Sequence, residues 1–270
     1  MDHPRRRLSP SKMTDLRWPS IGPIDLVPGS GEIHLWCAHL VNLSQRRDAF
    51  RRVLSQSEQA NALRHVHDAD RLLSVCSRGM LRTVLAAYLG AKPNELDFTL
   101  GPYGKPALEG DYGLSFNLSH SGEIVLLAVS APAANVGVDV ERRRDIQDWQ
   151  HLAKRHCHQA EVAELLAMDP VKGQHAFFDW WTRKEAVAKA FGLGLSLPLH
   201  TFRVDVADSS APQLLEGPWS PEQDQPWLIS QLDIASAYAA SVAATGVRPR
   251  SIYRWQFDPT QAGWQAVQPG

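Results

Sequence analysis

The chain has 270 residues, of which 44% are hydrophobic and 21% charged, with a formal net charge of -1. This length gives one or two domains and a core that needs no disulfide or metal staple, and the composition excludes a wholly disordered or collagen-like chain. The near-neutral charge argues against a protein that coats nucleic acid, and the three scattered cysteines, Cys37, Cys76 and Cys157, argue against a disulfide framework or thiolate zinc site and for a reducing, cytoplasmic setting.

In chain order, residues 1–30 are rich in Pro, Ser and Gly and read as a flexible arm. No apolar signal core follows Arg5-Arg6-Arg7, and no run reaches the roughly 18 apolar residues of a membrane helix, so no membrane partner is expected. A strand is expected over residues 32–40 and a helix over 44–64. A longer helix capped by Asp70 should follow, with Leu72, Leu73, Cys76, Met80, Leu81, Val84, Leu85 and Tyr88 at helical spacing and Gly90 as its stop. After the loop Gly101–Pro106, residues 114–118 and 124–129 read as strands flanking a polar turn, Ser119-His120-Ser121-Gly122. Residues 31–133 make a first half.

A second half covers residues 134–248. It opens on a short strand, 136–140, and continues with helices over 148–155, 159–168 and 174–191 and strands over 201–206 and 235–243. Residues 249–270 read as a tail. Both halves run strand, helix and strands, which suggests an internally duplicated α+β unit.

Four groups of residues could carry chemistry. Asp139 and Glu141 are two apart on a strand, so both point to one face, where two carboxylates repel unless a cation or proton joins them. A solvated edge strand, running into Arg142-Arg143-Arg144, is the other reading. In the string Trp181-Thr182-Arg183-Lys184-Glu185-Ala186-Val187-Ala188-Lys189, Trp181, Glu185 and Lys189 share a helix face with Lys184 beside them. That is either a surface Glu–Lys pair or, given the large Trp, a half-buried face suited to a metal-bound phosphate. Ser119 and His120 offer hydrogen-bond donors in a turn. Gly104-Lys105-Pro106 combines close backbone approach with stiffness. No P-loop, dinucleotide-binding, zincin or serine-hydrolase signature is present.

Taken in order, Gly104-Lys105-Pro106, Asn117-Leu118-Ser119-His120-Ser121, Gly137-Val138-Asp139-Val140-Glu141, the Trp181–Lys189 string and Gly194-Leu195-Ser196-Leu197-Pro198 resemble the 4'-phosphopantetheinyl transferases of the Sfp type. The resemblance spans roughly residues 31 to 245. It implies an α+β, pseudo-twofold monomer with the active site in the cleft between two similar halves. The implied reaction moves 4'-phosphopantetheine from coenzyme A to a serine of an apo acyl or peptidyl carrier protein and releases adenosine 3',5'-bisphosphate, in secondary metabolism.

By the same resemblance, Asp139, Glu141 and Glu185 hold Mg²⁺, and Lys184 and Lys189 contact phosphate. Glu161 assists deprotonation of the serine, with a water on the metal as the other choice of base. Gly104, Lys105, Pro106, Ser119, His120 and Arg71 contact coenzyme A. The family's lysines near the nucleotide 3'-phosphate are replaced here by Gln56 and Gln59, and Arg64 is a substitute. Two other functions stay open from the sequence: a non-catalytic coenzyme A or carrier-protein binding module, and an Mg²⁺-dependent phosphohydrolase.

Overall fold

The computed structural model describes residues 28–132, 134–204, 212, 214–217, 227–246 and 251–260. Nearly all of the expected arm, the end of the expected 201–206 strand and the last ten residues of the tail lie outside these.

The first half runs β1 (Glu32–His39), α1 (Leu40–Ser44), α2 (Arg47–Val53), α3 (Gln56–Leu63), α4 (Asp68–Leu89), the short β2 (Phe98–Leu100) and β3 (Pro106–Leu108), then β4 (Ser115–Ser121) and β5 (Ile124–Ser130). The expected single helix over 44–64 is two short ones, α2 and α3, with α1 ending at Ser44 before them. The break before α3 is chemical: Ser55 and Glu58 form a reciprocal capping box, which starts a new helix. The long helix α4 begins after His67, not Asp70, with Asp68 and Asp70 in its first turn, where carboxylates suit the helix dipole. It stops at Gly90, whose φ of +60° is open to glycine at little cost. By length and mean hydropathy α4 could cross a membrane, but most of it is packed inside the first core.

The second half runs β6 (Asn135–Arg142), α5 (Trp149–His156), α6 (Gln159–Leu166), α7 (Pro170–Phe191), the short β7 (Arg203–Val204) and β8 (Leu214–Glu216), β9 (Leu228–Gln231) and β10 (Tyr238–Thr245). The chain then returns to the first half. β11 (Ser251–Gln256), in what the sequence suggested was a tail, pairs in parallel with β1.

The described strands build a main sheet in the order β11-β1-β5-β4, a second in the order β6-β10-β9, and the two-stranded pairs β2-β3 and β7-β8. Alternation sorts their side chains into layers. Trp36 and Ala38 of β1 and Val125, Leu127 and Val129 of β5 pack on α4. Ile33, Leu35 and Cys37 of β1 meet Val136, Val138 and Val140 of β6 and Ala240, Val242 and Ala244 of β10 between the sheets. Ala243 of β10 packs on Ala186–Ala190 of α7. The order is thus α4, first sheet, second sheet, α7, with a 22-residue helix on each outer face.

At the seam, β4 lies against β6. The expected polar turn is not a turn: Ser119, His120 and Ser121 continue β4, and the chain reverses at Gly122, with φ +57°. Strand geometry therefore sends Asn117, Ser119 and Ser121 to one face, towards β6. Asn117 Oδ1 accepts from Val138 N at 2.8 Å, locking the two halves in register.

Candidate active site

A cleft of about 740 Å³ opens at this seam. Its second-half wall carries Asp139 and Glu141 from β6 and Trp181, Glu185 and Lys189 from α7. Ser119 and His120 of β4, with Ser74, Ser77 and Arg78 of α4, line the first-half side.

Gly137 lets α7 approach β6. An added Cβ there would lie 2.0 Å from Ala186 O and 2.4 Å from Ala190 N, so only glycine fits. The strand's next inward positions, 139 and 141, then face the helix stripe of Glu185 and Lys189. The solvated-edge reading fails for Asp139, which is 4% exposed although β6 is an edge strand.

Lys189 Nζ is 2.6 Å from Asp139 Oδ1, and Ser119 Oγ donates to the same oxygen at 2.9 Å. Glu141 Oε2 accepts from Ser121 Oγ at 2.9 Å. Two buried carboxylate oxygens, Asp139 Oδ2 and Glu185 Oε1, have no hydrogen-bond partner. Burial, then the nearby acids Asp139 and Glu141, push the Glu185 pKa up to about 7 against the pull of Lys189. Burial and Asp139 also raise that of Glu141. Unpartnered oxygens on mutually repelling acids are what a bound cation relieves. Among the described residues, no group of three or more His, Cys, Asp or Glu side chains stands ready-made as a metal site. The three carboxylates fit a divalent cation through their two free oxygens and repulsion, with an open side for waters and phosphate oxygens.

The structure does not bring every expected residue here. Lys184, one position from Glu185, turns to the other side of α7. It is 1% exposed, 2.8 Å from Glu161, and donates to the carbonyls of Leu199 and Phe202 at 2.9 and 2.6 Å. Glu161 is equally buried and also accepts from the N–H groups of His158 and Val204. Every oxygen of Glu161 is occupied, so it is walled off from the cleft. The reason is helical: residues one apart diverge by about 100°.

Lys105 is tied inward, donating to Val136 O at 3.0 Å and Lys189 O at 2.8 Å, with its pKa lowered by burial to about 8. It staples the Gly104–Pro106 loop to β6 and α7, and Pro106, not Gly104 or Lys105, reaches the cleft wall. Arg71 pairs with Asp68 at 2.8 Å and lines a separate cavity of about 410 Å³ with Arg47, Arg51 and Gln59. Arg64 is exposed at the end of α3 and is not on the cleft wall.

One cation escaped the sequence reading. Arg78 lines the cleft, and its only prior signal was its place one turn after Ser74 on α4.

The cleft between the two halves thus sets clustered acids and a lysine on one wall against Arg78 and His120 on the other, an arrangement suited to an enzyme active site. Residues 135–243 match the 4'-phosphopantetheinyl transferase superfamily, and residues 43–132 match the N-terminal region described as 4'-phosphopantetheinyl transferase, N-terminal. The chain is 32% identical over 233 residues to the 4'-phosphopantetheinyl transferase HetI of Nostoc sp., covering 84% of this chain and 94% of that one. It is 26% identical over 200 residues to the 4'-phosphopantetheinyl transferase Sfp of Bacillus subtilis, covering 74% and 86%. A crystal structure of a holo-(acyl-carrier-protein) synthase from Bacillus anthracis, in complex with CoA (3',5'-ADP), aligns with a TM-score of 0.35 and 16% identity over 41% of this chain and 94% of that one. The chain belongs to the 4'-phosphopantetheinyl transferase superfamily, and it is a 4'-phosphopantetheinyl transferase.

Proposed function

We propose that the cleft moves 4'-phosphopantetheine from coenzyme A to a serine of an apo carrier protein, with Mg²⁺ held by Asp139, Glu141 and Glu185. The observation that carries this reading is the pair of unpartnered buried oxygens, Asp139 Oδ2 and Glu185 Oε1, beside the Lys189 ammonium.

The serine oxygen forms a bond to the phosphorus that bears the pantetheine arm. The bond from that phosphorus to the bridging oxygen breaks, and adenosine 3',5'-bisphosphate leaves. A bound Mg²⁺ supplies charge neutralisation on the pyrophosphate oxygens. Lys189, already fixed by Asp139 and Ser119, stabilises negative charge building on the departing phosphate. Glu161 is too enclosed to take the serine proton, which passes to water in the open cleft. Lys105 and Asn117 act indirectly, by holding the loop and β4 against β6.

One chain supplies both cleft walls, which supports a monomer. Cys37, Cys76 and Cys157 are all free and buried, which supports a reducing, cytoplasmic location. Carriers of secondary metabolism, themselves acidic, are the proposed acceptors, with neither nucleic acid nor membrane as a partner.

The test is intact-protein mass of apo carriers after incubation with this protein, coenzyme A and Mg²⁺. One added phosphopantetheine, lost on chelation, is expected. No gain on fatty-acid, polyketide or peptide carriers, with coenzyme A bound, would overturn the transfer reading.

A further inference from the structure

Of the three arginines that follow Glu141, only the middle one turns inward. Arg142 is exposed, and Arg144 is a largely exposed side chain 4.0 Å from Glu141. Arg143 N donates to Ala237 O at 2.8 Å, so strand pairing runs one residue past the end of β6. Its guanidinium reaches across to α7, 2.5 Å from Asp179 Oδ1, and also donates to the carbonyls of Ser236 and Tyr238. Asp179 Oδ1 accepts from Gln231 Nε2 of β9 at 3.0 Å as well, and Gln231 Oε1 accepts from Arg183 Nε of α7 at 2.9 Å. The pair therefore ties α7 to β6, to β9 and to the start of β10. With side chains 19% and 26% exposed, this contact is screened less by solvent than an open surface pair.

Its place between β6 and α7 gives it a use. Residues 139, 141 and 143 fall on one strand face, and α7 supplies 189, 185 and 179 in the opposite order. Asp139 pairs with Lys189 at one end, and Arg143 pairs with Asp179 at the other. Between these two attractive rungs lies a repulsive one, Glu141 and Glu185 on the same cleft wall. The spacings fit: two strand residues advance about 6.6 Å and four helix residues about 6 Å. The six residues from Glu185 back to Asp179 advance about 9 Å, and the long Arg143 side chain covers the difference. Without a cation, two acids on separate elements push those elements apart. Ion pairs on both sides of them oppose that push.

We infer that Arg143 and Asp179 are positioning residues for the divalent cation: their ion pair sets the separation of Glu141 and Glu185, so that binding need not first draw the two acids together. This rests on the Mg²⁺ reading under the proposed function. Neither residue lines the cleft, and each acts through the acid on its own element.

The test uses the full chain as wild type, Arg143→Gln, Arg143→Lys and Asp179→Asn. Titration calorimetry with Mg²⁺ alone should show affinity lower by about 10-fold in Arg143→Gln and Asp179→Asn, the lower end of what the supporting partners of metal ligands contribute. Arg143→Lys, which keeps the charge, should lose less. The Mg²⁺ concentration for half-maximal transfer should rise by the same factor, while kcat at saturating Mg²⁺ falls by less than about threefold. A merely structural role would lower kcat or the melting temperature and leave Mg²⁺ affinity alone. Unchanged Mg²⁺ affinity in both charge-removing variants, or equal losses in Arg143→Gln and Arg143→Lys, would overturn the assignment. A second arm needs no metal. At pH 8 without divalent cation, Asp179→Asn should lower the melting temperature by about 2–4 °C more in the Glu185→Gln background than in wild type. In wild type, relief of the repulsion between Glu141 and Glu185 offsets part of the loss, and in that background there is none to relieve. Equal lowering in both backgrounds would also overturn the assignment. If wild type binds no Mg²⁺, the metal reading fails, and this second arm decides whether the pair holds the acids. Where Arg143→Gln does not fold, Asp179→Asn, which keeps the shape and hydrogen bonding of the side chain, carries the comparison.

Discussion

Lys189 Nζ lies 2.6 Å from Asp139 Oδ1 and 3.2 Å from Ser119 Oγ, so a single ammonium joins α7, β6 and β4 at the cleft. The contact spans both halves of the molecule. Removing it as Lys189→Met should lower kcat by about 10²- to 10³-fold, the usual cost of losing one preorganised charge at the reacting oxygen. Steady-state transfer at saturating coenzyme A, with a melting curve to confirm folding, checks this.

Glu185→Gln separates stability from function. A buried carboxylate oxygen without a partner costs free energy, and burial has raised the Glu185 pKa to about 7. Without divalent cation at pH 8, Glu185→Gln should be more stable than wild type by about 1 kcal/mol. Adding Mg²⁺ should raise the wild-type melting temperature and leave that of the variant nearly unchanged. A calorimetric scan with and without Mg²⁺ reads both.

Lys184 and Glu161 should behave as a structural pair. Breaking a buried ion pair from one side typically costs about 3–5 kcal/mol, so Lys184→Met and Glu161→Gln should each unfold at lower urea. The double change Glu161→Leu with Lys184→Met should recover much of that loss. Below its unfolding transition the double variant should keep kcat within about threefold, which a group acting on the substrate would not allow.

Lys105 gives a pH dependence. Its folded pKa is lowered to about 8, below the unfolded value, so between pH 8 and roughly 10 the unfolded chain binds more protons at this site. The group's contribution to stability therefore rises with pH across that window. From pH 7.5 to pH 9.5 wild type should gain about 1–2 kcal/mol in unfolding free energy relative to Lys105→Met, read from urea melts at each pH.

Gly137→Ala tests the close approach of β6 to α7. Its Cβ would meet backbone atoms at 2.0 and 2.4 Å, which cannot move aside as a flexible side chain can. A loss of about 3 kcal/mol or more is expected, together with loss of transfer, because Asp139 would be pushed away from Lys189.

Much of this was legible in the sequence. The α4 periodicity and Gly90 gave a helix whose end the structure places at Leu89. Asp139, Glu141, Glu185 and Lys189 do meet on one wall, because strand and helix periods alone put each pair on a common face. Lys184 failed because adjacency in sequence is not a shared helix face, and Glu161 failed with it as its ion-pair partner. The 119–122 segment looked like a turn because its residues are small and polar. In fact they are polar because one face of β4 must satisfy β6 and its acids. Arg78 was illegible, since its place on the cleft wall is a tertiary fact. The strand over 251–256 was hidden because its pairing is with residues more than 200 positions earlier.

That last strand has a consequence for how the molecule comes into being on the ribosome. Among the described elements, β1 is the first to emerge and its parallel neighbour β11 the last. Until then one side of β1 has bare hydrogen-bonding groups, and Trp36 waits for Trp255 to cover it. The two halves, alike as they are, are therefore not separable modules. A chain cut at the boundary near residue 134 would leave the N-terminal piece with an open sheet edge, and the first sheet becomes whole only when β11 is laid beside β1.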